Sequence, residues 1–441
     1  MMADTALVRV FSVGFGDCIF TKIPDGNGFF TMLIDCGTSG EPKPLTKALT
    51  TIKTMLPDRG GKKQLDLLVV THPHADHLKG FDSDAFKDIK VSRIWLSCFM
   101  KQDHPQARKS HALQAIAERA AYSLLSRGIS SEMGLDTLLT NSISNPSALK
   151  ALRITLPQDN GIETVYVSRD VADPSLIIAD GRKQNHDLDF YKGTTCLSNF
   201  EESNTRLRIL APEWDIDGYY LGEDVPNYDA LRSLFALNKG RVSKAATSEA
   251  RKSLPQPSNI SRRDFRLLSQ NLMSSALSFA QDDDALKNNT SVVLLLEWRG
   301  RRLLFAGDAE FAGTGVNKGR RNSNWDVMLK VLAAEDCLSK QLDFLKVGHH
   351  GSVNGSPFID KRNAKQIFLD NILSKQGKAK VVVSTIAGKH GDKKEVPYME
   401  LMKELGLRCT NSREYPENPE IRQPQRTDKE GGDWIDIEIE G

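Results

Sequence analysis

Hydrophobic and polar positions alternate near the start of the chain, where Val8 and Val10 flank Arg9 with period two, the pattern of a half-buried β-strand. The glycines of Gly14-Phe15-Gly16-Asp17 make a tight corner, and Cys18 to Ile23 returns as a second strand. Asp25-Gly-Asn-Gly then turns the chain into Phe29 to Asp35, so residues 6–35 predict a small antiparallel sheet. The period changes afterwards. Leu45, Leu49, Ile52 and Leu56 recur at helical spacing, which predicts an amphipathic helix over 43–56, ended by Pro57 and Gly60-Gly61. Leu65 to Val70 is a continuous apolar run, as expected of a strand buried on both faces.

The same reading predicts a strand at Val91–Leu96, a helix over 106–127, and strands at Ile154–Val167 and Arg206–Leu210. A helix follows at Leu267–Ala280. Val292–Glu297 and Arg302–Ala306 form a hairpin around Arg299-Gly300. Trp325, Met328, Val331 and Leu332 share one helix face, and Phe344–Val347 is a short strand. Helices at Ala364–Leu373 and Tyr398–Leu405 and strands at Ala379–Ser384 and Trp434–Glu440 complete the chain; Pro416–Gly432 is polar enough to be mobile. Hairpin, aspartate, helix, strand and histidine cluster occur twice in that order, at Asp35 and His72 and again at Asp308 and His349. Two such halves, facing each other across a pair of sheets, predict an α/β fold: an αββα sandwich in one domain, 1–441, with residues 100–286 inserted between the halves.

Chemistry is concentrated where the buried strand ends. LDLLVVTHPHADHLKG (Leu65 to Gly80) places His72, His74, Asp76 and His77 within six residues, and Pro73 puts them on a loop. Nitrogen and carboxylate ligands on one short loop suit a borderline metal such as zinc, with manganese or iron also admitted. His72 and His74 can point to one ion, Asp76 and His77 to a second. A structural zinc usually closes with cysteine, and none lies here.

His-Pro-His-Ala-Asp-His resembles HxHxDH, the signature of the metallo-β-lactamase fold. VGFGDCIF, LIDCG, THPHADHLKG, NNTSVVL, AGDAE and LKVGHHGS, in that order, resemble the hydrolase domain of the bacterial competence protein ComEC. The resemblance implies a four-layer sandwich and two divalent metal ions, with Asp308 bridging them. It also implies that His350, alone or with His349, closes the second site. One of these two histidines is a ligand, and the other, with Ser352, is placed to bond a phosphate oxygen or protonate a leaving alkoxide; spacing does not say which. Asp76, Asp308, His349 and His350 are thus the candidate catalytic groups.

Asp35 reads either as a carboxylate orienting a ligand histidine or as a turn cap, and the resemblance favours the first. Asp17 carries the same two readings. Asn288, Asn289 and Ser291 either contact metal or substrate or cap a strand. Lys79, where relatives carry glycine, reads either as a cation near the cleft suited to a substrate phosphate or as a solvent-facing lysine. The resemblance implies a further histidine ligand to the first metal from between the halves, but His104, His111 and His186 lie in no recognisable context, His111 within a predicted helix. His390 reads as a surface histidine.

Composition adds limits. Net charge is +2, too balanced to prove a nucleic-acid partner. One segment is basic, including Arg262, Arg263 and Arg266; it reads as a solvated loop or as a phosphate-tracking arm. No run of about 18 apolar residues exists to cross a membrane, and six scattered cysteines form no CxxC pair, so a soluble cytoplasmic protein is expected. The expected function is that of a metal-dependent phosphodiesterase or nuclease acting on DNA or RNA. The alternatives are a hydrolase of a small phosphoester, lactone or thioester, and a metal-containing module that binds protein partners without turnover.

Overall fold

The N-terminal alternation builds three antiparallel strands, β1 (Thr5–Phe11), β2 (Cys18–Asp25) and β3 (Gly28–Cys36). The computed structural model describes residues 5–25, 28–82, 88–108, 163–170, 176–185, 206–216, 287–311, 323–334, 340–355, 372–388 and 396–441, with a few single positions between them. Helix α1 (Pro42–Met55) crosses from β3 to β5 (Lys62–Val70), which pairs parallel to β3; the short β4 (Asp58–Arg59) pairs with β5. β6 (Lys90–Ser97) and β7 (Glu163–Arg169) continue the parallel run, and β8 (Leu176–Ala179) and β9 (Arg182–Asn185) extend it antiparallel. With β18 (Trp434–Glu440) paired to β1, this sheet has ten strands among the described residues.

A second, six-stranded sheet runs β10 (Arg206–Ala211), β11 (Val293–Trp298), β12 (Arg301–Phe305), β13 (Phe344–Lys346), β14 (Lys380–Val383) and β17 (Gln425–Arg426). Its first three strands are antiparallel; from β12 to β17 the pairing is parallel. The fold is therefore mixed α/β. Strands β7 to β9 join the first sheet and β10 the second, all from within residues 100–286.

Period-two alternation sorts the strand side chains. Leu68 and Val70 of β5 pack with Leu45, Leu49 and Ile52 of α1, while Leu67 and Val69 point the other way. These last two share an apolar cluster with Leu294 and Leu296 of β11 and Phe344 of β13, so the cluster draws on both sheets. Leu295, Leu304 and Leu345 face oppositely, against Trp325, Met328 and Val331 of α3 (Asn324–Ala334) and Leu401 and Leu405 of α4 (Met399–Gly406). Leu49 is fully buried, and truncating such a residue to alanine costs about 2–5 kcal/mol.

Among the described residues, the strand expected over 154–167 runs from Glu163, where they resume, to Arg169; residues 154–162 lie outside them. One expectation is corrected. Residues 416–432 are ordered: β15 (Arg413–Tyr415) pairs with β16 (Asn418–Gln423), and β17 enters the second sheet. Arg426 anchors this segment. Buried to 1% exposure, it donates to Gln423 Oε1 at 2.9 Å and to both oxygens of Asp428 at 3.1 and 2.9 Å, so the polar residues satisfy one another instead of water. The helix expected at 106–127 is helical at its described positions from Ala107 to Ala117; most of the helices expected at 267–280 and 364–373 lies outside the described residues. No described helix is long and apolar enough to cross a membrane.

Candidate metal centre

The candidate residues gather where parallel strands end. Asp35, next to last in β3, has φ +56°, a left-handed conformation in which aspartate is tolerated. Thr71 and His72 follow β5 directly. Pro73 keeps regular structure from starting at once, but a single turn, α2 (Ala75–Leu78), begins two residues later. Asp76 and His77 thus sit on a helical turn, not on the irregular loop expected, because proline restricts only its own position and the one before it. Gly37 presses against that turn: a Cβ there would lie 2.3 Å from His77 N, and only glycine permits the approach.

From the second sheet, β12 ends at Phe305 and Asp308 follows through Gly307; β13 ends at Lys346 and leads to His349 and His350. Asp76, His77, Asp308 and His350 form one group whose potential ligand atoms lie within 4.8 Å of one another; His72, His74 and Asp308 form a second. Asp308 is common to both. Its Oδ2 is 3.3 Å from His77 Nε2, 3.6 Å from His350 Nε2 and 3.8 Å from His72 Nε2. His350 Nε2 is also 3.1 Å from Asp76 Oδ2, and His72 Nε2 is 3.0 Å from His74 Nδ1.

The hydrogen bonds around the rings fix which nitrogen faces inward. His77 Nδ1 donates to Asp35 Oδ2 at 2.7 Å, and His350 Nδ1 donates to Ser384 O at 3.1 Å. Thr71 Oγ1 gives its proton to Asp35 Oδ2 at 2.6 Å, so it can accept from His72 Nδ1 at 3.0 Å. Each of the three rings therefore turns Nε2 toward Asp308, and that nitrogen offers a lone pair once the ring is neutral. His77 Nε2 and Asp308 Oδ1 are buried and make no hydrogen bond. Imidazole nitrogens and carboxylate oxygens, buried and oriented in this way, fit a divalent cation.

The charges are mutually dependent. Burial favours neutral forms, yet Asp308, Asp35 and Asp76 hold the His77 imidazole well above its ordinary range, and Asp308 and Asp76 raise His350. Burial likewise works to raise Asp308 and Asp76, but His77 and His350 outweigh it and hold both carboxyls low. Burial pushes the Asp35 carboxyl up and His72, beside two other histidines, well down.

The remaining candidates divide. His349 belongs to neither group: its Nε2 is 3.2 Å from Asn288 Nδ2 and its Nδ1 3.5 Å from Glu310 Oε1. Between the two adjacent histidines, it is His350 that joins the cluster. Asn288 and Asn289 each donate to Glu310 at 3.1 Å, and Ser291 Oγ accepts from Asp308 N at 3.2 Å, so these residues brace the centre. Ser352 Oγ donates to Asn354 Oδ1 at 2.7 Å. Lys79 is exposed and its Nζ bonds Gly40 O at 3.3 Å. Asp17 lies within reach of Asp35 and His77 but pairs with Lys346 Nζ at 2.9 Å.

His104 is no ligand here. It is buried, donates Nε2–H to Trp214 O at 3.1 Å, and accepts from the N–H groups of Gln106 and Ala107. His111 packs edge-on against Phe99, their centroids 5.0 Å apart. Arg263 is exposed on a helical position; Arg262, Arg266, His186 and His390 lie outside the described residues. Sequence reasoning passed over Thr71, Glu310, Lys346 and Ser384. Glu310 stood inside AGDAE, and Lys346 was a charge at the end of an apolar strand, which is a usable signal. Ser384 acts through its backbone carbonyl and leaves no trace in the side-chain pattern. No protein-family model and no curated protein matches the chain.

Proposed function

We propose that the chain is a metal-dependent hydrolase of the metallo-β-lactamase type, similar to the ComEC hydrolase domain, and that it cleaves phosphodiester bonds in nucleic acid. The observation that carries the reading is the convergence of the Nε2 atoms of His72, His77 and His350 on one carboxylate oxygen of Asp308. Two ligand groups sharing Asp308 support a dinuclear centre, with zinc as the metal best matched to the donors. The apolar cluster drawn from both sheets, with helices against their other faces, supports an αββα sandwich.

Bound there, two divalent cations would supply Lewis acidity and bring the pKa of a shared water toward neutrality. The chain's own residues orient and insulate. Asp35, Thr71 and the Ser384 carbonyl hold three rings in the productive tautomer, and Asn289 and Ser291 fix the turn that presents Asp308. His349 and Ser352 flank this centre, and each must turn from its present partner to reach a substrate oxygen. A small phosphoester, lactone or thioester is the second reading, favoured by Lys79, the cation expected to meet a phosphate, bonding Gly40 O.

The test combines metal content with a cleavage time course on single- and double-stranded DNA and RNA, with zinc or manganese added, beside Asp308→Ala. Metal-dependent cleavage by the wild type and none by the variant is expected. Equal cleavage by both would sink the proposal; two bound metals without cleavage of any polymer would move the substrate to the small esters.

A further inference from the structure

A buried ion pair ties the two sheets together directly beneath the metal centre. Lys346, the last residue of β13, and Asp17, the residue before β2, are each 1% exposed. Lys346 Nζ donates to Asp17 Oδ2 at 2.9 Å and to Val347 O at 3.1 Å. Such pairs give little net stability, because desolvating both charges offsets their attraction. A role other than stability therefore needs to be sought in what the pair touches.

The Asp17 backbone N–H donates to Asp76 O at 3.1 Å, and Asp17 O accepts from Gly37 N at 2.9 Å, where Gly37 packs on the Asp76–His77 peptide. The carboxylate also groups with Asp35 and His77, while its Oδ1 is buried and makes no hydrogen bond. An anion in that position would compete with Asp35 for the His77 Nδ1–H if it were free to swing. Lys346 holds it back. We propose that Lys346 is a positioning residue: by fixing Asp17 it sets the height of the α2 turn, and so where Asp76 and His77 meet a cation. This rests on the metal-centre reading above.

The experiment compares wild-type protein with the neutral double variant Asp17→Asn/Lys346→Met, measuring zinc affinity by chelator competition and thermal unfolding with chelator present. Neutral replacement of both partners avoids stranding a charge. Unfolding within a few degrees of wild type, with zinc held about 10- to 100-fold more weakly, is the result expected for a residue acting through the ligands. Wild-type affinity in the double variant overturns the inference alone. A large drop in unfolding temperature with unchanged or proportionally weakened zinc binding shows a merely structural pair, and also overturns it. Wild-type protein that takes up no divalent cation overturns the metal-centre reading itself.

Discussion

Asp35→Asn separates orientation from charge at the centre. The native carboxylate accepts three hydrogen bonds while fully buried: from Thr71 N at 2.7 Å, Thr71 Oγ1 at 2.6 Å and His77 Nδ1 at 2.7 Å. Asparagine has the same shape and tolerates φ +56°, so backbone strain contributes little. Its amide can keep one oxygen toward the Thr71 N–H, but then turns an NH2 group toward His77. Two donors would face each other. Relief comes only if the His77 proton moves to Nε2, the nitrogen that faces Asp308, and a protonated Nε2 cannot bind a cation. Orienting partners of this kind are worth about 10- to 100-fold in metal affinity, which at about 1.4 kcal/mol per tenfold is about 1.4–2.8 kcal/mol. Fold stability should change less, since removing a buried charge offsets part of the lost charge-assisted bonding. Zinc dissociation constants from competition with a chelator of known affinity would check this. An Asp35→Asn protein that holds zinc within twofold of wild type would refute the tautomer argument.

Other outcomes follow from the same contacts. His77 and His350 titrate above the ordinary histidine value of 6.5 in the metal-free chain, so their stabilising contribution is complete below that pH and is lost as pH rises through their raised values. Cation binding must expel those protons, so zinc affinity should climb as pH rises from the ordinary histidine value through their raised ones, and binding should release protons. Calorimetry in two buffers of different ionisation enthalpy would show this, and a pH-independent affinity would contradict it. His104→Ala should lower stability by about 0.5–2 kcal/mol, through loss of a helix-start acceptor, with metal content unchanged. Chemical denaturation with parallel metal analysis tests it; missing metal would make His104 a ligand after all. Gly307→Ala should weaken zinc binding, because φ there is +54° and the new Cβ would lie 3.2 Å from Thr71 Cβ, pushing Asp308 off the first sheet's ligands. Unchanged zinc affinity in that variant would show that the contact yields without moving Asp308.

Sequence periodicity was enough wherever packing follows a single rule. The Leu65–Val70 run, the α1 stripe and the 292–306 hairpin each bury the positions that their spacing marks. It failed where polar groups are buried with partners far off in the chain. Arg426 looks like a solvated residue in a polar stretch; its burial depends on Gln423, Asp428 and Glu417 arriving together, which no local pattern encodes. The choice between His349 and His350 was also beyond spacing. Both have positive φ, and the Ser384 carbonyl on one side and Asn288 with Glu310 on the other decide which ring turns inward. The HxHxDH residues were legible as a group because one strand end and one helical turn deliver them all.

The centre belongs to neither sheet. His72, His74, Asp76 and His77 come from the end of β5 in the first, Asp308 and His350 from the ends of β12 and β13 in the second, and open ligand sites in α/β sheets form at such carboxyl ends. The sheets meet there through backbone as well as side chains: Val292 N donates to Thr71 O at 2.9 Å, and Gly307 packs on Thr71 and Ser291. Thr71 therefore occupies three roles at once, accepting from the second sheet, bonding Asp35 and holding His72. A cation bound between the halves would cross-link them at this point, so its binding energy is expressed as association of the two sheets as well as ligand order. Disturbance anywhere along Asp35, Thr71, Val292 and Gly307 should then be felt first as loss of metal, before the apolar cores on either side of the sheets give way.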